Sequence, residues 1–548
     1  MTELSERPLG LVIIQLDGVS APQLQRAMDS GWMPELASWV RAGSHRLVAW
    51  ECALPSQTSA SQAGFLYGST DEVPGFRWYE KDRGRLFVSN HPADAARLEA
   101  RLEEATETGL LGPQGSSIAN LLSGDAARTA LTLSSLGRGL ERSDDFGRYL
   151  ANPTTFWPLL VATLREVFVE IGQGWRQRLR QELPRVGRGG SFPFLRAASN
   201  VVLRDLAAHL LRRDMQRGVP LAFTTFVGYD VVAHHAGPGR RDALRVLREL
   251  DATVARLAQR ARTAPRDYRF VLLSDHGQSL GRTFRQRFGH PLEELVQELA
   301  QTESVQAPKG RGEGWGYLNA LLSEAVQSQR GPARAARRLL APRRRGPYVE
   351  VGPDRIRRRR EDARIVVCAS GSLGLIYLAD WPERLDVETI ADLFPGLVGG
   401  LAAHEGVSFV LVRSATQGPL VLGSGGIHRL DDGWVEGVDP LAPFGPLAAE
   451  QVRRLDACHH VADIVVNGAW DPATGEVNAF EELVGSHGGL GGEQTQAFLL
   501  FPAAGAPDTT GAPDTDGLLG ADAVHRLLRQ WRDEIPALDE NAPRGVTG

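Results

Sequence analysis

Leu11-Val12-Ile13-Ile14-Gln15-Leu16-Asp17-Gly18 is a short, almost wholly apolar run closed by an acid and a glycine. A run without polar alternation suits a strand of a parallel sheet, buried on both faces. Its carboxylate then stands at the strand's C-terminal end, where open α/β sheets present their ligands. The pattern recurs twice. Leu221–Tyr229 is strand-like and leads to Asp230, and Arg269–Ser274 is apolar and leads to Asp275 and His276. Between them Leu244, Leu247, Leu250, Val254 and Leu257 recur at helical spacing, which makes a βαβ unit. The expected fold class is α/β, three layers around a mostly parallel central sheet.

Working outward, helices are expected around Pro22–Asp29 and Pro34–Ala42, with a strand around Arg46–Cys52. Further strands are expected at Ile365–Cys368, Leu375–Leu378, Phe409–Val412, Asp463–Val466 and Phe498–Phe501. Two segments interrupt the alternation. Residues 92–218 read as a mostly helical insertion or cap, suited to cover the site and select substrate. Residues 301–362 form an Arg-rich insertion with dense runs at Arg343–Arg345 and Arg357–Arg360. The core thus falls into residues 1–91, 219–300 and 363–503. Residues 504–548 hold a linker, GAPDTTGAPDTDG over Gly505–Gly517, and a helix around Ala521–Asp533.

The 548 residues allow two to four domains. A net charge of −5 points to no nucleic-acid module. The basic residues are 59 Arg and only two Lys, Lys81 and Lys309, a bias read as compositional. Cys52, Cys368 and Cys458 are too few and too scattered for a disulfide framework or a thiolate metal site. They are expected to be core thiols in a reducing compartment. Met1–Pro8 is polar and runs straight into a strand, unlike a secretory signal. Phe156–Gly172 carries Arg165, Glu166 and Glu170, and is too short and too charged to span a bilayer. The expected location is the cytoplasm.

Seven side chains have the chemistry of a two-metal phosphoryl-transfer site: Asp17, Thr58, Asp230, His234, Asp275, His276 and His487. Phosphoester hydrolysis is slow because an anionic phosphorus centre repels nucleophiles and the alkoxide leaves poorly. Two divalent cations ~3.5–4 Å apart address both difficulties. They need several carboxylates and imidazoles, together with a hydroxyl that one ion can activate. Asp230 and His234 are four apart, on one side of a helical turn beyond the strand. Asp275 and His276 are adjacent, which leaves open whether they serve one ion or two. Mixed nitrogen and oxygen donors suit zinc or manganese. Thr58 precedes small residues up to Gly64, and a helix starting there would aim free N–H groups at a phosphate. The plain alternative makes Thr58 a helix N-cap. Ser56, Ser59 and Ser61 are rival hydroxyls.

Together these residues resemble the type I phosphodiesterase/nucleotide pyrophosphatase family of the alkaline phosphatase superfamily. The resemblance lies in Asp17-Gly18, Pro55–Thr58, Asp230–Pro238, Ser274–Gly277 and His487-Gly488, over roughly residues 9–90, 219–290 and 363–503. It implies an alkaline-phosphatase-like fold and two divalent ions, typically zinc. It also implies that Asp17, Thr58, Asp275 and His276 hold one ion and Asp230, His234 and His487 the other. Thr58 would be the nucleophile and pass through a phosphothreonine. Two departures stand out. Ala233 replaces the usual Gly before the histidine, and Pro74–Tyr79 lacks the Asn that contacts phosphate. Arg77 is the candidate replacement, since a guanidinium binds phosphate through two hydrogen bonds.

The expected function is a metal-dependent hydrolase of phosphodiester or nucleotide pyrophosphate bonds, acting on a small-molecule or lipid-linked phosphoester. The alternatives are a phosphomonoesterase or a phospho- or sulfo-group transferase on the same scaffold, and a binding protein that keeps its metals without turnover. Other polar clusters read more plainly. His235 is expected beside the site rather than in it. His459, His460 and Asp463 form a weak third metal candidate. His428, in GSGGIHRLDDG, is expected to be structural, and Gly423–Gly426 is not a phosphate cradle. Phe156–Gly172 is expected to pack on the core, in preference to an interfacial membrane helix.

Overall fold

In the computed structural model a seven-stranded sheet joins strands of the first half of the chain to one from near its end. Its strands run in the spatial order His45–Glu51, Gln496–Pro502, Asp267–Leu273, Leu9–Leu16, Leu221–Phe226, Ser116–Ile118 and Arg128–Ala130. The structure describes residues 7–106, 108–136, 149, 152–308, 312, 314–327, 338, 340–345, 348–351, 363–503 and 518–536. The Arg357–Arg360 run and the Gly505–Gly517 linker lie outside the described residues.

Leu9–Leu16 is the central parallel strand. It pairs with Leu221–Phe226 in the register Leu11 to Leu221 and Leu16 to Phe226, and with Asp267–Leu273 on its other side. Leu11, Val12, Ile13, Ile14 and Leu16 are at most 1% exposed, so both faces are covered and the apolar run is explained. Gln496–Pro502 is antiparallel to both of its neighbours. The fold is α/β with a mixed, mostly parallel central sheet, as expected. The strand expected over Leu221–Tyr229 stops at Phe226, and Tyr229 belongs to the helix Gly228–Ala236. That helix begins at Gly228, one residue after the strand, and carries both Asp230 and His234.

The later strands form a second sheet of eight. Val305–Gln306 pairs in parallel with Ile365–Ser370 at one edge, and Ile365–Ser370, Leu373–Leu378, Ile464–Gly468, Val407–Ser414, Gly418–Gly423, Gly426–Arg429 and Val435–Gly437 are then antiparallel neighbours in that order. Its own apolar cluster includes Ile365, Ile376, Leu397, Val410 and Ile464. Gly423 pairs with Gly426 at a hairpin, so that glycine stretch is a turn. Ser116–Ile118 and Arg128–Ala130, from the segment read as an insertion, add to the parallel edge of the first sheet. The three cysteines are free and buried. Among the described residues no helix is long and apolar enough to cross a membrane.

Candidate active site and metal centre

Three neighbouring parallel strands end at the same edge, and each delivers an acid there. Asp17 follows Leu16, Asp230 sits in the first turn of Gly228–Ala236, and Asp275 follows Leu273-Ser274. All three are buried. Gly18 makes this possible. Its φ is +72°, and a Cβ there would lie 2.6 Å from Asp230 Oδ1. The glycine therefore serves close packing of two acids as well as the turn. Its N–H donates to Asp275 Oδ1 at 3.1 Å, which ties the third acid to the first strand's end.

Thr58 is the first residue of the fully buried helix Thr58–Tyr67, and Gln57 occupies the N-cap position. The N-cap alternative for Thr58 is thereby set aside. Its Oγ1 donates to Asp17 Oδ1 at 3.2 Å and lies 3.2 Å from His276 Nε2. The rival hydroxyls are placed differently. Ser56 Oγ bridges Gly488 N and Gly489 O, at 2.8 and 3.1 Å. Ser61 Oγ donates to Asp275 O at 2.7 Å. Ser59 Oγ is buried without a hydrogen bond among the described residues.

His487 arrives from far along the chain. Gly485-Ser486 pairs with Ser279-Leu280, just past the Ser274–Gly277 segment, and Ser56 bridges Gly488. The three imidazoles share one arrangement. Nδ1 faces a backbone carbonyl in each: Gly485 O at 2.8 Å for His234, Gly277 O at 3.0 Å for His276 and Ser56 O at 2.7 Å for His487. A carbonyl only accepts, so Nδ1 carries the proton and each Nε2 turns inward. There Nε2 meets carboxylate oxygen: His234 to Asp230 Oδ2 at 3.1 Å, His487 to Asp230 Oδ1 at 3.8 Å, and His276 to Asp17 Oδ1 at 3.8 Å. His276 and His487 stack with centroids 3.8 Å apart.

Two groups of donor atoms result, Asp230 with His234 and His487, and Asp17 with Asp230 and His276. The first is the set the resemblance implies. In the second, Asp230 adds to the expected residues, so this carboxylate stands within reach of both groups. Asp275 Oδ2 is 3.3 Å from His276 Nε2 and has no hydrogen bond among the described residues. Burial pushes the Asp230 carboxyl up, and positive charge on the adjoining His234 ring outweighs burial and lowers it. Burial, reinforced by His276, drives His487 far below the ordinary imidazole value, so that ring is neutral. Buried carboxylates facing imidazole lone pairs require positive charge between them. The donor set fits divalent cations.

Gln278 was not legible as a functional residue. Its Nε2 donates to both Asp230 Oδ1 and Asp230 O, the latter at 3.3 Å. The available signal was a buried-type amide two positions past the Asp275-His276 pair. His235 stays outside the metal groups and stacks on Phe192 at 3.8 Å. Lys81 Nζ occupies Asp463 at 2.8 Å, so the weak third metal candidate does not form among the described residues. His428 pairs with Asp439 at 2.9 Å, a structural role.

A cavity of ≈ 340 Å³ opens on His234 and His487. Phe192 and Leu195 from the 92–218 segment, Trp315, and Glu481 also line it. Arg77 is buried behind Phe76, which lines the cavity. Its Nη2 is 2.9 Å from Glu481 Oε1, and its Nε has no acceptor among the described residues.

The sequence matches the family model described as Type I phosphodiesterase / nucleotide pyrophosphatase over residues 11–307, more than half of the chain. No curated protein matches it significantly. Solved structures similar to it include phosphonoacetate hydrolase from Sinorhizobium meliloti 1021, 17% identical, covering 95% of each chain at a TM-score of 0.41. Murine ectonucleotide pyrophosphatase / phosphodiesterase 5 is 11% identical, covering 97% of each chain at 0.45. Alkaline phosphatase PafA is 13% identical, covering 95% of this chain and 96% of its own at 0.48. The chain belongs to the type I phosphodiesterase/nucleotide pyrophosphatase family, a family of phosphoester hydrolases.

Proposed function

We propose that the protein is a two-metal phosphodiesterase or nucleotide pyrophosphatase with Thr58 as nucleophile. The observation that carries this reading is the position of Thr58 Oγ1, 3.2 Å from both Asp17 and His276 at the start of a buried helix. Asp17, Asp275 and His276, with Thr58 itself, would hold one cation. Asp230, His234 and His487 would hold the other, with Asp230 near both. Zinc suits these mixed donors, with manganese as the alternative. Two such ions would neutralise the phosphoryl oxygens and ease loss of the hydroxyl proton.

The protein's own groups do the rest. Asp17 accepts the hydrogen bond from Thr58 and so fixes the direction of the Oγ1 lone pairs. The helix Thr58–Tyr67 directs its positive end at the same point, favouring an anionic group there. Thr58 Oγ1 forms a bond to phosphorus as the bond to the leaving oxygen breaks, and the leaving group takes up a proton. Water then displaces Thr58 from the phosphothreonine and restores the hydroxyl. Arg77 Nε is the proposed further phosphate contact, reached by exchanging Glu481 for substrate.

The test is Thr58→Ala, which is expected to abolish turnover of bis-p-nitrophenyl phosphate while metal content stays the same. Full activity in that variant overturns the role. Faster turnover of p-nitrophenyl phosphate than of the diester would favour the phosphomonoesterase alternative.

A further inference from the structure

The helix Pro153–Leu179 is inside out. Much of its packed face is polar: Glu166, Glu170, Gln173 and Gln177 are buried beside Leu159, Val167 and Gly174. Two buried arginines neutralise those acids. Arg196 donates to Glu166 Oε1 at 2.7 Å and also pairs with Glu170. Arg188 donates to both oxygens of Glu170, at 2.7 and 2.8 Å, and to Asp242 at 2.7 Å. The helix is therefore pinned in place by charge.

Its outer face is apolar. Trp157, Val161, Leu164, Phe168, Ile171, Trp175 and Leu179 are between 46% and 80% exposed. Their spacing of three or four residues keeps them within an arc of about 80° on a helix of 3.6 residues per turn. At 1.5 Å per residue the stripe is about 33 Å long. The expectation that this segment packs on the core holds for Leu159 and Ala162 and fails on this outer face. So large an unbroken apolar stripe marks a binding surface.

We propose that this stripe docks on an anionic lipid bilayer, with the helix lying in the headgroup plane. Charge selects that occupant. Both acids of the helix are buried, while Arg165, Arg176 and Arg178 are exposed beside the stripe. The helix thus offers outward mainly apolar and cationic groups and no acid, the chemistry of an interfacial anchor on acidic lipid. Tryptophans stand near both ends of the stripe, where their amphipathic rings suit the bilayer interface. A second copy fits less well, since pairing two such helices brings arginines against arginines while both acids of the helix are buried.

The helix also leads into the cavity wall. Leu183 and Phe194 continue the exposed apolar surface, at 64% and 65%, and Gly187, Ser191, Phe192 and Leu195 line the cavity. Docking would hold that cavity close to headgroup phosphoesters. This last clause rests on the hydrolase reading, whereas docking itself does not.

The experiment uses the full chain with phosphatidylcholine vesicles, with and without phosphatidylserine, at low and high salt. Co-sedimentation is expected only with the serine lipid, weakening as salt rises. Phe168→Asp with Trp175→Asp, and separately Arg176→Glu with Arg178→Glu, are each expected to weaken binding at least about tenfold. Turnover of p-nitrophenyl esters should not change in either variant, which reports an intact fold and a working site. Lipids with brominated chains should quench tryptophan fluorescence in the wild type, and Trp157→Phe with Trp175→Phe should remove that quenching while binding persists. Wild type left in the supernatant overturns the proposal. So does binding that ignores the apolar substitutions, or a dimer that Phe168→Asp with Trp175→Asp turns into a monomer without any vesicle binding.

Discussion

Gln278→Ala is the sharpest probe of how the metal centre is held. The Gln278 side chain is buried, and its Nε2 donates to the Asp230 carboxylate and to the Asp230 carbonyl. Asp230 in turn belongs to both donor groups. Removing the amide frees a buried carboxylate to rotate away from His234 and His487. A lost buried hydrogen bond to a charged group costs about 1.5–3 kcal/mol. Loss of a partner that orients a metal ligand lowers metal affinity by roughly 10–100-fold, about 1.4–2.8 kcal/mol. The two scales agree, so weaker binding by this factor is expected for both ions. The assay is a zinc titration of the metal-free protein by calorimetry, with thermal melting run in parallel. Gln278→Glu, which sets a second carboxylate against Asp230, should shift the melting point with and without metal in opposite directions. Zinc affinity unchanged within about twofold in Gln278→Ala would refute the reasoning, because Asp230 would then not depend on this amide.

Gly18→Ala puts a Cβ 2.6 Å from Asp230 Oδ1 at a φ of +72°. The left-handed conformation alone costs about 1–2 kcal/mol, so a lower melting temperature and near-complete loss of turnover are expected. An active, equally stable variant would contradict this. Arg77→Ala should raise KM for the diester, since it removes a guanidinium whose Nε has no acceptor among the described residues. Unchanged turnover and KM would remove Arg77 from the substrate site. Burial lowers both His487 and His525 below the ordinary imidazole value. The unfolded chain then binds more protons below about pH 6.5, so the metal-free fold keeps full stability above that pH and loses it as the pH falls through it. Melting of the chelated protein should therefore drop between about pH 8 and about pH 5, and a flat profile would count against these two buried neutral rings.

Much of the site was readable in the chain because its ligands follow strands whose apolar runs are self-announcing. Leu11–Leu16 and Arg269–Ser274 mark their own ends, and the residues after them are at the sheet edge by geometry. The four-residue interval from Asp230 to His234 likewise fixed a helical turn. What stayed hidden depends on pairing between distant segments. Ile365–Ser370 and Ile464–Gly468 look like strands, but no local signal says that they form a separate antiparallel sheet. The inverted helix was hidden for the same reason. Glu166 and Glu170 look solvated until Arg188 and Arg196, well downstream, are seen to bury them. Glu481 on Arg77 is a pairing across some four hundred residues, beyond any local pattern.

The central claim is that Thr58 becomes covalently bonded to phosphorus. Acid quenching of the zinc-loaded enzyme during turnover of bis-p-nitrophenyl phosphate, followed by peptide mass analysis, tests it directly. A phosphoryl group on the peptide containing Thr58, absent in Thr58→Ala, is the predicted result. Steady turnover with that peptide unmodified, or with the label on Ser56, Ser59 or Ser61, would contradict the account.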